Sequence, residues 1–176
     1  MSEEKVRVGL VGVSGVCAAV HYPGYQLIEG VEITGICEPS DGLRELRQKE
    51  WGIEAAYARI EDLLAEVKPD AVSIATPNVY HQELIYEALD AGCHVICEKP
   101  LGMDFAQTQA IYERGKASGL CHMTAFTYRF VPAINYIRHL VQSSELGQIR
   151  HARFQRLQDW GERAIGWRQY KDQAGS

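Results

Sequence analysis

A doubly wound parallel α/β sheet is the fold class this sequence predicts, and three observations predict it. Short β-branched runs alternate with longer amphipathic stretches from Val6 to Thr127, the rhythm of β–α–β units. The first run ends in a glycine turn, Gly12-Val13-Ser14-Gly15, and the second in an acid, Glu38. A later run, His94-Val95-Ile96-Cys97, stops at Glu98-Lys99-Pro100-Leu101-Gly102. Proline has no N–H for a central ladder, so both charges belong on the rim, past the strand's carboxyl end.

Taken in order, residues 6–13 read as the first strand, with Arg7 its one charge. Val16-Cys17-Ala18-Ala19-Val20-His21 is small and apolar enough to start a helix that runs to about Glu29 and stops at Gly30. Residues 31–37 are the second strand. Asp41 is the expected N-cap of a helix carrying Leu43, Leu46 and Trp51 on or near one face. A short strand near 55–57 precedes a helix over 60–67, with Leu63, Leu64 and Val67 inward and Lys68-Pro69-Asp70 as its stop. Residues 71–75 are a buried strand ending at Thr76-Pro77-Asn78. The helix after it, about 80–91, repeats Leu84, Ile85, Ala88 and Leu89 at helical spacing. The fifth strand is 94–97. Asp104 caps a helix to about Ala117 that packs through Ala106, Ala110 and Ile111, and residues 120–127 make a sixth strand. Farther on, 132–143 reads as a helix with Ile134, Ile137 and Val141 on or near one face. Residues 149–158 read as a strand with Ala152, Phe154 and Arg156 on one side. One helix and one strand cannot close a core. The expected division is therefore a sheet domain over 1–127 and the beginning of an incomplete α+β domain over 128–176, with an exposed sheet edge and poor order after Trp160.

The glycine turn has a chemical use. Glycines let the backbone approach a pyrophosphate, and the helix behind them points its N–H groups and positive end at the anion. An acid after the second strand accepts hydrogen bonds from a ribose diol and repels a 2′-phosphate. Glu38 stands 23 residues beyond Gly15, and no Arg or Lys follows it before Arg44, so the expected cofactor is NAD in preference to NADP. The pattern departs from a strict G-x-G-x-x-G. Ser14 and Cys17 stand where glycines would, and with a turn one residue longer Gly15 takes the second role and Ala18 the third. A plain strand-to-helix turn would carry the same glycines; Glu38 in register favours the cofactor. In such a sheet the turns after the first, fourth and fifth strands share one rim, and the first and fourth strands flank the point where strand order reverses. Lys99 there would sit beside the nicotinamide end, where a cation can stabilise the alkoxide that develops as an alcohol becomes a ketone. A structural Glu98–Lys99 pair closing a turn is the alternative reading.

Composition narrows the classes. Apolar residues make up 46% of 176, enough for a packed core, and the net charge of −5 argues against nucleic acid or a membrane surface as partner. The charge is uneven, −9 over residues 1–120 and +4 over 121–176. Arg150, Arg153, Arg156, Arg163 and Arg168 are explained by a solvated edge strand more simply than by a nucleic-acid patch. The five cysteines, 17, 37, 93, 97 and 121, read as free thiols of a reducing compartment. A zinc set from Cys93, His94, Cys97, Cys121 and His122 is disfavoured, because Cys93 and Cys97 straddle a strand start. No apolar run is long enough to span a membrane, and an acidic pair stands where a secretory signal would be basic, so a cytoplasmic location is expected.

On these residues the chain resembles the family of NAD(P)-dependent oxidoreductases that includes glucose–fructose oxidoreductase, inositol dehydrogenase and MocA. The motifs are Gly12-Val13-Ser14-Gly15 with His21, Ala75-Thr76-Pro77-Asn78 with His81, Ala91-Gly92-Cys93-His94-Val95 leading to Glu98-Lys99-Pro100, Tyr128-Arg129-Phe130, and Trp167-Arg168. The Glu-Lys-Pro after an Ala-Gly-x-His-Val strand is the specific part. The resemblance covers Val6 to about Arg168 and implies a Rossmann domain. It implies cofactor contacts from Gly12, Ser14, Gly15, Val16 and Glu38, and from Pro77, Glu98 and Arg129. Thr76, Asn78 and His81 would line the nicotinamide half, and Trp167 and Arg168 would reach back from the second domain. It further implies Lys99 as the catalytic residue, touching nicotinamide ribose and substrate, and a cis bond before Pro100. No metal is implied; the substrate would be a sugar or polyol, and full-length members would form homo-oligomers. In the family a glycine-rich segment after the Trp-Arg leads to an Asp and a His that complete the catalytic set, and this sequence stops where that segment would begin. The alternative is therefore an NAD(P)-binding protein without turnover, a fragment, a pseudo-enzyme or a sensor, which shares Gly15 and Glu38 and gives Lys99 no catalytic role.

Overall fold

Six strands, β1 (Val6–Val11), β2 (Val31–Cys37), β3 (Ala56–Tyr57), β4 (Ala71–Ile74), β5 (His94–Cys97) and β6 (His122–Thr124), form one wholly parallel sheet in the order β3-β2-β1-β4-β5-β6. The computed structural model describes residues 5–157 and 167–175, apart from the side chain of Arg168. Parallel strands bury both faces, which is why β1 and β4 read as near-continuous apolar runs. On one face α3 (Ile60–Val67), α4 (His81–Asp90) and α5 (Phe105–Ser118) set Leu63, Val67, Ile85, Ala88 and Ile111 against Val11, Val72, Ile74 and Val95. On the other, α1 (Tyr22–Gln26) and α2 (Asp41–Trp51) pack Tyr22, Tyr25, Leu43 and Trp51 against Val8, Leu10 and Ile36. The Tyr22 and Trp51 rings stack there with centroids 4.1 Å apart. Gly35 makes room for Leu63, since a Cβ on it would fall 2.6 Å from the Leu63 Cδ1. The doubly wound parallel sheet is the architecture the alternation predicts.

Several elements differ in detail from expectation. The first helix opens as a π turn over Cys17–His21, with the Tyr22 N–H donating to the Cys17 carbonyl, before continuing as α1. A π turn holds one residue more than an α turn. Ser40, not Asp41, is the N-cap of α2; Asp41 lies in the first turn and pairs with Arg44 at 2.6 Å. Leu46 is exposed, rotated away from Leu43 and Trp51. Asp104 does cap α5, accepting from the Gln107 N–H at 2.8 Å. That helix turns Ile111 and Gly115 inward and leaves Ala106 and Ala110 exposed, because Gly115 lies against the His122 ring. β6 spans three residues rather than the eight expected, as far as its ladder with β5 runs.

After a 3-10 turn at Thr127–Phe130 comes α6 (Pro132–Gln142), the helix expected over 132–143. Its Ile134, Ile137 and Val141 form a stripe but remain exposed. Residues 149–157 are not a strand, contrary to the alternation; residue 158 lies outside the described residues. Alternation yields a strand only where a neighbour offers N–H and C=O groups, and the described residues offer this segment none. The expectation of poor order after about Trp160 falls in part on 161–166, outside the described residues. In residues 167–175 a 3-10 turn at Trp167–Gln169 and α7 (Lys171–Ala174) return to the sheet rim, where the Asn78 Nδ2 donates to the Ala174 carbonyl at 2.7 Å. Among the described residues no helix is long and apolar enough to cross a membrane.

Candidate functional site

Strand order reverses between β1 and β4, and the turns leaving these two strands and β5 meet on one rim. Gly12 passes so close to the fourth strand's turn that a Cβ on it would fall 2.8 Å from the Thr76 Cγ2, and its φ is 78°. Gly15 (φ 39°) is the opposite case: a Cβ there would meet nothing within 4 Å. The backbone at Gly15 is therefore open to a ligand. Two grooves join along this rim. The larger, ≈ 460 Å³, is lined by Gly12, Ser14, Glu38, Thr76 and Pro77 together with residues of α3 and α4. The smaller, ≈ 110 Å³, is lined by Ser14, Gly15, Val16, Thr76, Pro77, Asn78, Glu98, Lys99 and Trp167. Side chains read as one site from positions 12 to 167 of the sequence thus come together in one cleft.

At the larger groove Glu38 is buried. Its Oε2 accepts from the Val13 N–H at 3.2 Å and its Oε1 from the Ser40 N–H at 3.1 Å. Arg44 is turned away, donating to the Glu38 carbonyl at 2.8 Å and pairing with Asp41. Glu61, Glu83 and Glu87 add three carboxylates to the wall, against a single guanidinium, Arg59, which is paired with Glu61. Burial pushes the Glu87 carboxyl up, and the charges of Glu61 and Glu83 push it further. A 2′-phosphate placed here would meet a surplus of negative charge. Nothing in the sequence singles these acids out, because they come from two separate helices.

At the smaller groove two buried atoms, the Thr76 Oγ1 and the Asn78 Oδ1, have no hydrogen-bond partner among the described residues. A buried polar atom left unpaired is costly, and both are positioned to serve a ligand. With open backbone at Gly15 and an acid at the far end, the cleft fits a dinucleotide.

The peptide bond from Lys99 to Pro100 is cis, as the resemblance implied. Its side chain is 53% exposed, with Nζ 3.5 Å from the Glu98 Oε2. The Lys99 N–H donates to the same oxygen at 3.2 Å. Glu98 is itself buried, and its Oε1 lies 3.2 Å from the His21 Nε2, whose other ring nitrogen is 2.8 Å from the Ser73 Oγ. Burial alone would raise the Glu98 carboxyl, but His21 and Lys99 outweigh it and hold the group below the ordinary carboxylate value. His21 was visible in sequence only as part of a motif; 77 residues separate it from Glu98.

Two of the expected residues line neither groove. His81 is fully buried and lines neither groove; its Nδ1 lies 3.0 Å from the Pro100 carbonyl oxygen and its Nε2 3.0 Å from that of Thr76. It braces the turns at Thr76 and Pro100 through these two contacts. Arg129 is exposed in its 3-10 turn and lines neither groove. The side chain of Arg168 lies outside the described residues. Of the thiols, Cys17 and Cys37 are pushed by burial up to about 12 and Cys97 is likewise raised, so these three are protonated fillers of the core.

A family model described as an oxidoreductase family with an NAD-binding Rossmann fold matches residues 6–126. Among curated proteins, a levoglucosan dehydrogenase of Pseudarthrobacter phenanthrenivorans is 33% identical over 144 residues, 80% of this chain and 37% of its own length. An inositol 2-dehydrogenase of Corynebacterium glutamicum is 34% identical over 148 residues, 83% of this chain and 44% of its own. The chain thus spans about two fifths of the length of these relatives. Among solved structures, the scyllo-inositol dehydrogenase of Lactobacillus casei with bound NAD(H) and scyllo-inositol superposes with a TM-score of 0.77 at 24% identity. That match covers 81% of this chain and 42% of the other.

Proposed function

Because the chain belongs to this oxidoreductase family with an NAD-binding Rossmann fold, we propose that it serves a dehydrogenase acting on a hydroxyl carbon of a sugar or polyol. NAD, when bound, supplies the hydride acceptor for oxidation and the donor for reduction. Glu38 holds the ribose diol, the open backbone at Gly15 takes the pyrophosphate, and Thr76 and Asn78 serve the nicotinamide half. Lys99, which lines the smaller groove, hydrogen-bonds the reacting oxygen and stabilises the negative charge that builds there as the hydroxyl proton passes to a histidine of the substrate domain, the base the resemblance implies. Residues 1–127 are the cofactor domain in this reading, and 128–176 the start of the domain that bears the substrate. The relatives named for levoglucosan and inositol support the substrate class.

The observation that supports the proposal is that Lys99 lines the same groove as Gly15, Thr76 and Asn78. The test is an NADH fluorescence titration of the 176-residue chain, followed by assays across sugars and polyols. Lys99→Ala should leave NADH affinity within a few-fold and cut turnover by about two to four decades, the loss typical of an electrostatic or proton-transfer group. Turnover unchanged by that substitution rejects the assignment, and cofactor binding with no turnover on any substrate selects a non-catalytic binding protein or fragment instead.

A further inference from the structure

We propose that His21, acting through Glu98, is the positioning residue for Lys99. The inference rests on Lys99 having the role just given, and the residues involved come from three different elements. Lys99 ends in a flexible four-carbon stem whose side chain is 53% exposed. Such a side chain samples many rotamers unless a partner holds it. Glu98 is that partner, and it can act as one only if its own carboxylate is fixed. A carboxylate buried this deeply needs each oxygen satisfied. One oxygen faces the Lys99 amine and backbone N–H; the other is met by the His21 Nε2.

The ring is anchored in turn. Its Nδ1 is 2.8 Å from the hydroxyl of Ser73, a fully buried residue of β4 at the centre of the sheet. The Ser73 hydroxyl is also a hydrogen-bond partner of the Tyr25 side chain; when it donates to Nδ1 the proton stays on Nε2, the tautomer that donates to Glu98. The π turn ending at His21 delivers the ring to this place. Contact therefore runs from the rigid centre of the sheet through imidazole and carboxylate to the amine. His21 does not line the cleft that holds Lys99; it lines an apolar groove on the other side, with Val20, Gly24 and Met123. It thus works on Lys99 only through Glu98.

The experiment is acylation of the folded 176-residue chain by a small anhydride, with mass spectrometry giving the labelling of Lys99 relative to Lys49 and Lys116. An amine engaged by a carboxylate acylates more slowly than a free one. Glu98→Gln and His21→Ala should each raise the Lys99 ratio about two- to five-fold, the range for a partly exposed ion pair. The double variant should add nothing to Glu98→Gln alone, and His21→Gln, which keeps a donor near Glu98, should stay close to the parent. A purely structural role for His21 would raise all lysines together. An unchanged ratio in His21→Ala, or additivity in the double variant, overturns the proposal. If His21→Ala does not fold, Ser73→Ala decides: a raised ratio supports the chain of contacts and an unchanged one ends it. Labelling reads the positioning and turnover of Lys99→Ala reads the catalytic role, so failure of either is distinguishable from failure of the other.

Discussion

Both ring nitrogens of His81 lie 3.0 Å from carbonyl oxygens, and burial pulls its pKa below the ordinary 6.5, against the pull of those carbonyls and of Glu98. A neutral imidazole has one N–H, so it can donate to only one of the two turns at a time. With the folded pKa below the unfolded one, the unfolded chain binds more protons as pH falls through 6.5. The stabilising contribution is complete above that value and lost as pH falls toward the folded pKa. The thermal midpoint should therefore drop between about pH 7.5 and pH 5.5, at up to about 1.4 kcal/mol per pH unit, and His81→Gln should flatten that slope. Melting curves followed by circular dichroism check it; a flat parent profile would contradict it. Glu98 has the same sign in a separate window. Its folded pKa is below 4.5, so its contribution stands above that value and is lost only as pH falls beneath it. At Glu38, substitution by Gln should narrow the preference for NAD over NADP by about tenfold or less, because Glu83 and Glu87 still face the groove. Binding titrations with both reduced cofactors measure this directly, and a complete inversion would mean that the other acids do not act.

The strand-to-helix turn allows the sharpest contrast between neighbouring positions. Gly12→Ala forces a side chain into positive φ and against Thr76, so it should cost about 1–3 kcal/mol of stability and weaken NADH binding as well. Gly15→Ala meets open space and should cost about 1 kcal/mol in stability, yet reduce NADH affinity by about tenfold or more, since the new methyl occupies the ligand's approach. Denaturant unfolding and fluorescence titration on the same two variants separate these effects. Equal effects on both quantities would remove the distinction drawn between the two glycines. The elements around this turn were legible where the pattern is local. Apolar spacing marks α3 and α4, and Asp104 marks the start of α5. The facing of α5 was not legible, because alanines carry little burial signal and Gly115 sets its approach to β6.

For the molecule as a whole, a ligand that binds only the folded state stabilises it by mass action. NADH at about a hundred times its Kd should add about 2.7 kcal/mol and raise the melting midpoint. The rise should survive in Lys99→Ala and shrink in Gly15→Ala; a parent chain that gains nothing from NADH would refute cofactor binding. By itself the sequence determined the alternation of strands and helices, the glycine turn, the acid after the second strand and the lysine beyond the fifth. Each of these is written in apolar period, chain breakers or short-range spacing. Only the tertiary structure decided that Ser73, His21, Glu98 and Lys99 form one chain of contacts, and that Glu61, Glu83 and Glu87 share a wall with Glu38. It alone decided that residues 149–157 form no strand. These outcomes depend on which elements become neighbours, and the order β3-β2-β1-β4-β5-β6 sets side by side segments that lie far apart along the chain.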